Sequence, residues 1–83
     1  MKPDHVILGV HVTDRMKEAV EVQKVFTQYG SHIKTRLGLH EIGNSPEGVV
    51  LLELVGDAKA GKELAKKLAA IEGIEVQQMV FGH

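Results

Sequence analysis

The chain has no cysteine, no tryptophan, one tyrosine, two phenylalanines and two prolines in 83 residues. Without cysteine, no disulfide staples the fold and no thiolate holds a metal. An excess of one charge sign is also missing: ten Lys+Arg stand against eleven Asp+Glu, a formal net charge of −1. That balance leaves no electrostatic footprint for nucleic acid. The longest apolar run, between Gly48 and Gly56, is interrupted by Glu53 and is far too short to span a bilayer. No Gly-rich phosphate loop, no GxSxG and no HExxH occurs. The opening Met1-Lys2-Pro3-Asp4 runs into a strand pattern with no signal-peptide features, so the expected location is the cytoplasm. A chain of this length makes one domain, 1–83, and buries only roughly 60% of its unfolded surface. A partner subunit is a common way to supply the missing burial.

What is present is periodicity. From His5 to Val12, Val6, Leu8, Val10 and Val12 alternate with His5, Ile7, Gly9 and His11, which predicts a strand with one strongly apolar face. Thr13-Asp14 offers a helix cap. Met16, Ala19, Val20, Val22, Val25, Phe26 and Tyr29 recur at helical spacing before Gly30. A second strand is expected over about 32–40, with Ile33, Thr35, Leu37 and Leu39 inward and His32, Lys34, Arg36, Gly38 and His40 outward. The turn-rich segment 41–47 leads to a third strand from Gly48 that is apolar on both faces, as a central strand would be. Gly56-Asp57 caps a second helix with Ala60, Leu64, Ala65, Leu68 and Ile71 inward, and Gly73 ends it. The last strand alternates Ile74, Val76, Gln78 and Val80 against Glu75, Gln77, Met79 and Phe81.

The β-α-β-β-α-β order predicts an α+β, ferredoxin-like fold: a four-stranded antiparallel sheet with two helices on one face. The other face has no helix to cover it. There the pattern places Ile7, Val49, Leu51, Val55, Met79 and Phe81, an apolar patch too large to leave in water, rimmed by charged groups. The expected occupant is another copy of the chain, as a dimer or a dimer of dimers.

The segment Tyr29-Gly30-x-x-Ile33-x-x-Arg36-x-Gly38 resembles a family of small ACT-like domains labelled iron-only hydrogenase system regulators. So do Gly9-Val10-x-Val12-x-Asp14-Arg15 and Ile71-x-Gly73-Ile74-x-Val76. The resemblance covers nearly the whole chain. It implies an ACT-like fold similar to the C-terminal domain of nickel-responsive repressors, and a regulatory module that senses a small ligand or a partner protein, with a link to transcription regulation. The repressors' ribbon-helix-helix arm has no counterpart, because the first strand begins near residue 5. No direct binding to duplex DNA is expected.

Three constellations are candidate sites. The resemblance implies a ligand near Thr13 and Asp14, since ACT domains often bind amino acids at that turn; an ordinary helix cap is the competing reading. Arg36 and Glu53 are placed across from one another on the open face, as a cross-strand ion pair or as a holder for an anionic ligand. His11 and His40 end strands at the same edge of that face, roughly 10 Å apart, so only two facing chains would close a metal site through them. The nickel repressors add a cysteine that this chain lacks. The cofactor is left unspecified. A regulatory, non-catalytic module is the first expectation; a metal sensor using interface histidines and a small enzyme working on the sheet face are the alternatives.

Overall fold

The computed structural model describes residues 5–39 and 47–82. Its elements are β1 (His5–Val12), α1 (Arg15–Gln28), a 3-10 turn (Gly30–His32), β2 (Ile33–Leu39), β3 (Gly48–Leu54), α2 (Ala58–Ala69) and β4 (Ile74–Phe81). The strands form one antiparallel sheet in the order β2-β3-β1-β4. This is the ferredoxin-like, ACT-like arrangement. Asp57 caps α2 by accepting a hydrogen bond from the Lys59 amide at 2.9 Å. Gly56 and Gly73, which bracket α2, have φ of +88° and +86°, a backbone region that disfavours side chains.

The core lies between the helices and one face of the sheet. Leu8 and Val10 of β1, Leu52 of β3 and Leu64 and Leu68 of α2 are fully buried there, joined by Val22 and Phe26 of α1, by Tyr29 just past its end and by Ile74. The α1 stripe runs through positions 18, 22, 26 and 29. Ala19 and Val20 fall off it: Ala19 is exposed and Val20 is 65% exposed, contrary to the expectation from spacing. Glu18 occupies the stripe instead and is buried.

Strand β2 carries the largest departure from the sequence pattern. Its register with β3 shifts between Ile33 and Thr35, so Thr35 pairs with Glu53, Arg36 with Leu52, Leu37 with Leu51 and Leu39 with Val49. A shift of one residue exchanges the faces of everything beyond it. Thr35, Leu37 and Leu39 therefore lie on the open face, and Arg36 and Gly38 lie on the helix side. The expected opposition of Arg36 and Glu53 is thereby overturned. Arg36 instead sits over the Phe26 ring, 4.9 Å from its centroid, and its Nη1 donates to Gln23 at 3.2 Å. A guanidinium over a ring face is favourable, and it caps the core where α1 no longer covers the edge strand. The sequence could not decide this, because an edge strand half-wetted on both sides has no strict inside.

Candidate functional site

The open face is a grid fixed by the strand register. One row runs Thr35, Glu53, Ile7, Met79; the next runs Leu37, Leu51, Gly9, Gln77; the third runs Leu39, Val49, His11, Glu75. His5 and Phe81 pair beyond the first row, with ring centroids 6.4 Å apart. Two apolar lobes result: Leu37, Leu39, Val49 and Leu51 on the β2–β3 side, and Ile7, Met79 and Phe81 on the β1–β4 side. The bulge in β2 enlarges the first lobe, since Leu37 and Leu39 are about half exposed here rather than inward. Val55 leaves the patch. It lies just past the end of β3 and borders the cleft at the start of α2.

Glu53 sits in the polar corner of this grid. Its Oε1 accepts from the Thr35 hydroxyl at 2.7 Å, and its Oε2 lies 2.8 Å from His5 Nε2. The Thr35 hydrogen bond, followed by that from His5, holds the Glu53 carboxyl below its ordinary value. Sequence reasoning placed His5 and Glu53 on the right face and missed Thr35, because the bulge that turns Thr35 outward leaves no mark in the alternation.

In the opposite corner, His11 Nε2 lies 3.3 Å from a Glu47 carboxylate oxygen. Next to it is a shallow depression of about 270 Å³ bordered by Gly9, His11, Val49, Glu75 and Gln77. Its floor is Gly9, in the middle of a central strand. A Cβ built on Gly9 would meet the Gln77 carbonyl and the Leu51 side chain at 3.8 Å, ordinary contact, and φ is not positive there. The chain's own packing therefore does not require glycine at this position. A glycine inside a strand leaves room for another backbone, side chain or ligand to come close. The expected metal pair includes His40, which lies outside the described residues; among those described no three His, Asp or Glu side chains are grouped to hold an ion.

The turn between β1 and α1 is occupied by the chain itself. The Glu18 carboxylate accepts the Asp14 amide at 3.0 Å, and the Thr13 hydroxyl lies 3.2 and 3.3 Å from its two oxygens. That hydroxyl is also 2.9 Å from the Gly73 carbonyl, to which the Thr13 amide donates at 3.2 Å. Glu18 supplies the anion that a helix start attracts, so the place expected for a ligand carboxylate is filled. Gly73 is demanded by this lock: any Cβ there would overlap the Glu18 carboxylate. The signal for Glu18 was its position on the buried stripe of α1.

No family model matches the chain, and no curated protein matches it. Solved structures do. An uncharacterized protein from Thermotoga maritima superposes with a TM-score of 0.85 at 23% identity, over 96% of this chain and 100% of that one. A formyltetrahydrofolate deformylase from Pseudomonas syringae matches with a TM-score of 0.62 at 13% identity, over 96% of this chain but only 28% of that chain. A nitrogen regulatory PII-like protein from Thiomonas intermedia, solved with ADP, AMP and bicarbonate, gives 0.55 at 13% identity, over 98% and 93%. At these identities the likeness is one of fold, and the shared fold is the ferredoxin-like, ACT-like sheet with its two helices.

Proposed function

We propose that this chain is a small ACT-like regulatory module that works as a homo-oligomer, associating through the open face of its sheet. Its task is to pass the state of a small ligand or partner protein to a larger system. The sequence resemblance makes an iron-only hydrogenase system the regulated target, acting on transcription through a partner rather than by direct DNA contact. We read the module as non-catalytic. The nitrogen regulatory PII-like protein, which has this fold and was solved with small ligands bound, supports the class of function.

The observation that carries the association is Gly9 together with the two apolar lobes around it. Leu37, Leu39, Leu51, Met79 and Phe81 form exposed or half-exposed surface on both sides of a depression that the monomer does not need. A projecting apolar side chain from a second copy fits such a floor. Apolar area removed from water contributes about 25 cal/mol per Å², which makes covering this face worth several kcal/mol before the cost of association. Sedimentation of the protein at micromolar concentration tests it: an oligomer is expected, and a folded monomer overturns the reading.

A further inference from the structure

The strand ends and the start of α2 enclose a second hollow, on the helix side of the sheet and away from the open face. It is a cleft of about 140 Å³ bordered by Val6, Leu54, Val55, Ala58, Gly61 and Val80, with Asp57, Lys62 and Gln78 at its polar edge. Its shape follows from local chemistry. Gly61 lets α2 press onto β3, since a Cβ there would come within 3.2 Å of Leu54 Cδ1. The β1 and β4 strands run on past the first turn of α2, so Val80 is 53% exposed although it lies on the helix side of the sheet. An apolar hollow of roughly 150 Å³ is enough to take a benzene-sized group.

The polar edge is unevenly committed. The Asp57 carboxylate caps α2. Neither the Lys62 ammonium nor the Gln78 side-chain amide has a partner among the described residues. The free groups are thus one cation and one neutral amide, beside walls that are aliphatic. Small-molecule sites are built this way, mostly apolar with a few convergent polar groups.

We propose that this cleft binds a small apolar monocarboxylate: a branched aliphatic or phenyl-sized tail against Val6, Leu54, Val55 and Val80, with the carboxylate on Lys62 and Gln78. The inference deepens the regulatory reading by giving the module a ligand site. It rests on that reading for its purpose, though not for its chemistry. It also relocates the site, since the Thr13–Asp14 turn is already filled by Glu18.

The test uses the whole chain with labelled Val, Leu and Ile methyl groups and two probes with the same carbon skeleton, 3-methylbutanoate and 3-methyl-1-butanol. The carboxylate is expected to shift the Val6, Leu54, Val55 and Val80 methyl signals saturably, with the Ile7 and Leu51 signals unmoved. The alcohol should bind about tenfold more weakly, and Lys62→Gln should remove the difference, as loss of a charge-assisted hydrogen bond does. Ala58→Phe, a substitution at an exposed helix start, should block both probes. Absence of cleft shifts at tens of millimolar probe overturns the site, and equal binding of acid and alcohol overturns the assigned chemistry. Sedimentation of the same samples reports on the oligomer separately, so failure of one reading is told apart from failure of the other.

Discussion

Leu51 and Leu52 are neighbours in β3, yet Leu52 is sealed beneath the helices and Leu51 is only partly covered. The same contrast holds between the two glutamates. Glu18, on the helix side, is buried and held by the backbone of its own chain. Glu53, on the open side, is held by two side chains and stays partly in water. One face of the sheet is thus covered within the chain except at the cleft beside α2. The other is built to the same standard of patterning and left incomplete.

Substitutions at matched positions on the two faces sharpen that contrast. The largest effect is expected inside: Leu52→Ala should cost about 2–5 kcal/mol of stability, as deletion of a fully buried Leu does, read by urea unfolding. Leu51→Asp should leave the circular dichroism of the fold in place and dissociate the oligomer, read by sedimentation. Loss of fold in Leu51→Asp at a concentration where the wild type is monomeric would erase the distinction between the faces.

The glycines should part in the same way. Gly73→Ala places a side chain where the Glu18 carboxylate sits and at φ +86°, so it should destabilise by about 1–3 kcal/mol. Gly9→Ala, made in the Leu51→Asp background, should instead stabilise the fold by roughly 0.5–1 kcal/mol, because alanine loses less conformational freedom than glycine. In the wild-type background the same change should weaken association.

The smallest effect concerns Glu53. Its carboxyl is depressed in the folded state, so its contribution to stability is present above the ordinary value of 4.5 and is lost as pH falls through the lower folded value. Thr35→Val removes the leading cause of the depression. The Glu53 carboxyl, followed by carbon NMR, should titrate at higher pH in that variant, and the acid-side loss of stability should be smaller and complete at a higher pH.

Much of this contrast was legible in the sequence. Strict alternation in β1 and β4 assigned both faces residue by residue, because the two strands pair from end to end without a register shift. The apolar run of β3 marked it as central. The edge strand β2 was not legible: Ile33, Thr35, Leu37 and Leu39 alternate equally well in either orientation, and only the bulge after Ile33 decides between them. That single residue moved Arg36 off the open face and brought Thr35 to Glu53. The Glu18 lock escaped for a different reason. It joins residues 60 apart in the chain through a side-chain hydroxyl and a backbone carbonyl, and no periodicity reports such a meeting. The α2 cleft escaped because its walls come from four elements whose ends meet only in the folded chain.

The central claim is that the open face is covered in solution by a second copy. Solvent paramagnetic relaxation of methyl protons in the unmodified protein tests it most directly, with Val20, on the outer side of α1, as the exposed reference. The account predicts that the Leu37, Leu51 and Ile7 methyls are shielded several-fold relative to Val20, and that Leu51→Asp abolishes the shielding at Leu37 and Ile7. Relaxation at Leu37 as strong as at Val20 in the wild-type protein would contradict it.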